Sequence, residues 1–163
     1  MEDDRTRDAH AELFRALYPG LRRFAAAVGP VDVDPDDLVQ DALVRVLRRG
    51  SLNRLDNPLA YLRRTIVNLA ADRRRGFARM RRAFRRVGAA DTVNVDYPSD
   101  VDDLLALPPE VRAVLWLADV EGRSFDEIAE MLGCSVTAAR TRASRGRRDL
   151  RIALAAEATE EQP

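Results

Sequence analysis

Arginine is the residue type on which any chemistry of this chain must rest. All 27 basic side chains are Arg, balanced by 27 acids, and they are accompanied by a single histidine, His10, and a single cysteine, Cys134. His10 stands alone, so there is no His-based metal or catalytic cluster, Cys134 reads as a small half-buried residue in a turn, and the carboxylates come with no catalytic partner. The D-x-D-x-D run from Asp32 to Asp36 resembles a calcium loop at first sight. Such a loop needs Gly at its sixth position and Glu at its twelfth, where Asp37 and Leu43 stand here. Guanidinium groups, by contrast, are rigid forks that match phosphate oxygens and the O6/N7 edge of guanine. The chemistry on offer is recognition of a polyanion rather than bond making, with no cofactor, no metal and no enzymatic activity expected.

The charges are badly mixed along the chain. Residues 1–41 carry ten acids against five arginines. Residues 42–90 carry fourteen arginines against Asp56 and Asp72, a net of +12, and residues 91–110 carry six acids and no base. A zero formal net charge therefore hides a dense basic segment, the electrostatic footprint of a nucleic-acid partner. No apolar run approaches the ~18–20 residues that span a bilayer, and the acidic start MEDDRTRDAHAELF lacks a signal core, so a cytoplasmic chain is expected.

The elements that position the arginines are helices. From 104 onward, Pro108 and Pro109 suit a helix start, and Val111, Val114, Leu115 and Ala118 form one apolar face. Ser124 and Glu127 have capping-box spacing, Phe125, Ile128, Ala129 and Leu132 form the next face, and Gly133 supplies a sharp stop. Ser135 caps a third helix running from Val136 to about Ala153. It carries Arg140, Arg142, Arg145, Arg147 and Arg148, with Thr137 and Thr141 near its start. Two short helices joined by a Gly turn make a helix-turn-helix, whose second helix meets base edges in the major groove. An ordinary three-helix bundle with a solvated Arg face fits the same pattern.

The stretch LPPEVRAVLWLADVEGRSFDEIAEMLGCSVTAARTRASRGRRDLR resembles region 4 of an extracytoplasmic-function (ECF) sigma factor of bacterial RNA polymerase, from its LPP opening to its closing R-x-x-L-R. Ala138 and Ala139 stand where the family often has Thr and Val, and Ala143 where it often has Leu, which shrinks the apolar face of the third helix.

Upstream, residues 9–28 read as a helix with Leu13, Phe14, Leu17 and Leu21 on one face, and Pro19-Gly20 predicts a kink or break in it. Asp34, as cap, and Pro35 open a second helix with Leu38, Val39, Ala42 and Val46 buried, joined by Leu43 and Leu47. PDDLVQDALVRVLRR resembles sigma region 2.2, which implies contact with the largest polymerase subunit through Asp37, Leu38, Gln40, Asp41 and Arg45. Asn57-Pro58 starts a third helix with Leu59, Leu62, Ile66, Leu69 and Ala70 inside, and with Tyr61, Thr65, Asn68 and Asp72 along another face. NPLAYLRRTIVNLAADRRR is similar to regions 2.3 and 2.4, with Tyr61 for the usual Trp and Val67 where Arg is common. That resemblance implies that Tyr61, Arg63, Arg64, Asn68, Asp72, Arg73, Arg74 and Arg75 hold the melted −10 strand. Stacking and core packing both suit Tyr61. The arginines from Arg73 to Arg86, interleaved with Phe77, Met80 and Phe84, read as a helix end fraying into a basic arm.

The expected fold is all-α: two small helical domains, 1–88 (sigma region 2) and 104–154 (region 4), on a flexible acidic linker 89–103, with an acidic tail 155–163. The resemblance implies binding to core RNA polymerase through its largest and second-largest subunits. It further implies −35 recognition by Ser135, Thr137, Arg140, Thr141, Arg142, Arg145, Arg147 and Arg148, and opening of promoter DNA. An anti-sigma factor is a possible further partner in such a family. A stand-alone DNA-binding regulator is the competing class, and an acidic 2.2-like helix is a surface it does not need.

Overall fold

The computed structural model of the chain describes residues 2–50, 52–87 and 104–160. The linker expected at 89–103 lies outside the described residues. Among them there is no β-strand, and no helix is long and apolar enough to cross a membrane.

Helix α1 (Glu2–Val28) buries Leu21, Phe24, Ala25 and Val28 completely, an i, i+3, i+4, i+7 face. It continues through Pro19 as one helix rather than as two in series. Both Pro19 and Arg15 are exposed, so the carbonyl that loses its amide donor is on the solvent side, where water substitutes. Helix α2 (Pro35–Arg49) starts as its sequence dictates: the Asp34 side chain accepts from the Asp36 amide at 2.9 Å, and Asp36 and Asp37 fill the positive first turn. Leu38, Val39, Ala42 and Val46 are buried, Leu43 is half-buried, and Leu47 is exposed, so the buried face is narrower than expected. A 3-10 turn (Leu52–Arg54) leads to helix α3 (Pro58–Val87), capped by Asn57, whose side chain accepts from the Ala60 amide at 3.0 Å. The expected frayed arm is instead helical to Val87. Helices α1, α2 and α3 pack on one another as a bundle.

Downstream, α4 (Pro109–Leu115) passes directly into a π-helical turn (Trp116–Val120). Helix α5 (Phe125–Leu132) carries the complete Ser124–Glu127 capping box and ends at Gly133 with φ 63°. That left-handed conformation suits glycine because it has no Cβ. Helix α6 (Val136–Glu160) is longer than expected and takes in most of what reads as a tail. Its small residues Ala139, Ala143 and Gly146 are buried at i, i+4 and i+7. A Cβ on Gly146 would lie 2.6 Å from Val111 Cγ1 and 2.9 Å from Leu115 Cδ1. The alanines that shrink the apolar face thus let α6 settle closely onto α4.

The two helical units do not stand apart. Helices α1 and α3 pack against α4, α3 also packs against α5, and the buried apolar residues of both units form one contiguous cluster.

Candidate nucleic-acid interface

Helix α6 presents Thr137, Arg140, Thr141, Arg145 and Arg148 on one exposed face, opposite the buried small residues. Ser144 shares that face, and the same i+3/i+4 spacing in the sequence points to it although sequence alone did not single it out. Ser135 is the helix cap: its Oγ accepts from the Ala138 amide at 3.0 Å. The Arg140 guanidinium lies 5.9 Å from the centre of the Phe125 ring, which steadies it while its donors stay exposed. Arg147 is tied back to Asp119 at 2.5 and 3.3 Å, and the Asp119 carboxylate raises its already high pKa. Arg148 bonds its neighbour Asp149 at 3.0 and 3.2 Å. Arg142 is half-buried and turns toward α3.

A second basic surface lies where α2 ends and α3 begins. Arg45, Arg49, Tyr61, Arg64, Thr65 and Asn68 line a cavity of about 290 Å³. Arg49 donates to the Tyr61 hydroxyl at 3.0 Å, and Thr65 Oγ1 donates to the Tyr61 carbonyl at 2.8 Å. The half-buried Tyr61 packs against the core cluster and also forms part of the wall of an open basic hollow, so both roles that its sequence suits are met. Three cations, an aromatic face and an amide meet the needs of one unpaired nucleotide: charge for its phosphates, a ring for stacking and polar groups for its base edge. Arg49 and Thr65 are members that the expected site lacked, and Arg45 belongs to this hollow as well as to α2.

Other expected residues are placed differently. Arg63 does not reach solvent: it is 3% exposed, with Nη2 2.6 Å from Glu121 Oε1 and Nη1 3.6 Å from Met131 Sδ. Its guanidinium carbon sits 5.3 Å from the centre of the Phe24 ring. Asp72 lies outside the hollow and pairs with Arg75 at 2.5 Å, Arg73 pairs with Asp41, and Arg74 donates to the Ala106 carbonyl at 2.8 Å. On α2, Asp37 and Gln40 are exposed and Asp41 is half-buried, but Leu38 is fully buried. Leu38 thus packs the core rather than meeting a partner. Val44, 44% exposed at i+4 from Gln40, supplies an apolar spot on the outer face instead.

Known proteins resemble this arrangement. The family Sigma-70 region 2 matches residues 13–86 and the family Sigma-70, region 4 matches residues 104–150. The chain is 33% identical to the ECF RNA polymerase sigma factor SigE of Mycolicibacterium smegmatis over 91% of this chain and 63% of that protein. It is also 33% identical to the ECF RNA polymerase sigma factor SigM of Mycobacterium tuberculosis, over 86% of this chain and 74% of that one. The sigma factor RpoE of Bartonella quintana, solved in complex with the anti-sigma factor NepR, has the same fold, with a TM-score of 0.57 at 23% identity over 88% of this chain and 95% of that chain. A chain of two helical units with these two matched regions is a sigma-70 type protein. Within that class it belongs to the ECF RNA polymerase sigma factors. It spans a little less than two thirds of the length of SigE.

Proposed function

We propose that this protein binds core RNA polymerase in the cytoplasm, reads −35 and −10 promoter elements, and captures the melted −10 strand so that transcription begins. The carrying observation is the basic hollow around Tyr61, set on the same chain as the Arg-rich exposed face of α6. Helix α6 would read −35 duplex through Thr137, Arg140, Thr141 and Arg145, with Ser144 beside them. Arg45, Arg49 and Arg64 would neutralise phosphates around a displaced nucleotide held by Tyr61 and Asn68. Favourable contacts made only to the unpaired strand offset the cost of unpairing, so opening needs no fuel and no bond chemistry. The outer face of α2, with Asp37, Gln40, Asp41 and Val44, would dock on the largest polymerase subunit, and the C-terminal half on the second-largest. That face also separates this reading from a stand-alone repressor.

The test is co-purification with core RNA polymerase followed by run-off transcription from a library of promoter fragments. Joining the core and selecting fragments that share one −35 to −10 spacing is the expected result. Binding DNA without joining the core would replace the proposal with the regulator reading.

A further inference from the structure

The arginines of α6 are held in different ways. Arg147 is bridged to Asp119 and Arg148 to Asp149, so a carboxylate offsets the charge of each and occupies part of its donor fork. Arg142 is half-buried and turned away from the exposed face. Arg140 and Arg145 are exposed, and no ion pair to a carboxylate of the described residues holds either of them. What holds Arg140 is an aromatic face: its guanidinium carbon lies over the Phe125 ring.

That ring stands on a fixed platform. Phe125 is the first residue of α5, directly after Ser124, whose amide and hydroxyl close the capping box with Glu127 at 2.8 and 3.3 Å. Phe125 is half-buried and packs against the apolar core. Arg140 follows five residues after Ser135, the cap that fixes the start of α6. Two capped helix starts therefore set ring and guanidinium against each other.

An aromatic face orders a cation differently from a carboxylate. It attracts the guanidinium through its quadrupole and leaves the N–H donors and the charge available. A carboxylate would take up donors and repel the phosphates that flank a base. Bridging O6 and N7 of guanine requires the planar fork to arrive in one orientation, whereas an unheld arginine samples many rotamers. An orientation set beforehand favours the one base edge that matches it.

We propose that Phe125 is a positioning residue for −35 recognition: it aims the Arg140 fork at a guanine and so sets the base preference at one position of the element. The proposal rests on α6 being the −35 reader. At 5.9 Å from the ring centre the contact is near the outer reach of such interactions, so the effect is a few fold rather than all or none.

The full chain is assembled with core RNA polymerase, and binding to promoter duplexes randomised across the −35 element gives the base preference at each position. Phe125→Leu should lower the guanine preference at one position by about two- to fivefold and leave the other positions as they were. Phe125→Tyr, which keeps the ring, should keep the preference. In an Arg140→Ala background Phe125→Leu should change nothing further, because its effect passes through Arg140. A preference is a ratio among folded molecules, so a variant that merely lowers the folded fraction leaves it unmoved. An unchanged preference in Phe125→Leu, an equal loss with and without Arg140, or a loss in Phe125→Tyr as large as in Phe125→Leu would overturn the proposal. If Arg140→Ala itself leaves the preference untouched, the proposal falls together with the place of Arg140 in the −35 reader. Failure of Phe125→Leu alone leaves that reader standing.

Discussion

Gly146→Ala sets two known effects against each other. Glycine within a helix costs about 0.8–1.0 kcal/mol relative to alanine, so on an exposed face the change would stabilise α6 by that amount. Gly146 is not on an exposed face. The added methyl would lie 2.6 Å from Val111 Cγ1 and 2.9 Å from Leu115 Cδ1, well inside contact distance. Leu115 can swing its terminal methyls. Val111 is β-branched in a helix and has one strongly preferred χ1, so it cannot yield by rotation. Relief must come from moving α6 away from α4. Overpacking of this kind costs typically ~1–3 kcal/mol, which outweighs the helix gain and leaves a net loss of about 1 kcal/mol. Urea denaturation of the purified chain, comparing midpoints at equal slope, measures it. Because α6 is displaced, −35 binding should weaken as well. A stabilised variant would show that helix propensity governs this position and that the close α4–α6 approach does not constrain it.

Three further outcomes follow from the site. Arg140→Ala should weaken discrimination among −35 sequences by roughly 1–3 kcal/mol if the side chain bridges a guanine; an unchanged preference in a binding selection would remove Arg140 from the readout. Asn68→Ala should slow promoter opening, followed by permanganate reactivity, while leaving affinity for core polymerase intact; the reverse pattern would place Asn68 at the polymerase contact. The capping box gives a sign for pH. Hydrogen bonds from the Ser124 amide and hydroxyl, and secondarily from Arg123, hold the Glu127 carboxyl below its ordinary pKa. A depressed acid contributes stability above its unfolded-state pKa and loses it as pH falls through the folded value. Glu127→Gln should therefore narrow the stability difference between neutral and acid solution, read from melting curves at both, and an unchanged difference would remove the carboxylate from the balance.

Local signals made most of the fold legible. Asp34, Asn57, Ser124 and Ser135 each cap the helix that their spacing announces, and Gly133 ends α5 as expected. Pro19 did not split α1 in two: the carbonyl it leaves without a donor belongs to the exposed Arg15, where water can serve it, and exposure is not written in the local sequence. Leu38 carried two readings, buried by its spacing with Val39, Ala42 and Val46 and a partner contact by resemblance, and the phase of α2 on α1 and α3 buries it and leaves Val44 outward. Arg63 was beyond sequence altogether. Among eight arginines of α3 before Met80 or just after it, nothing local marks the one that meets Glu121, 58 positions later. The hollow was half legible, since Tyr61, Thr65 and Asn68 share a helical face, but Arg45 and Arg49 reach it from another helix.

The π-helical turn from Trp116 to Val120 has a bearing on which mutations this chain tolerates. Each residue of a regular helix turns the chain by about 100°. The wider turn accommodates an extra residue, so that the Glu121 amide reaches the Trp116 carbonyl at 3.1 Å and Arg123 reaches Leu117 at 2.8 Å. It works as a phase adjuster between α4, seated on α1, and the two helices that follow. Substituting the exposed Asp119 or Val120 would leave that phase alone. Deleting either would let the helix close in regular form and swing everything after it by about a quarter of a turn. At this point the count of residues is constrained more tightly than their identities, so drift along the lineage should show here as exchanges and hardly ever as gaps.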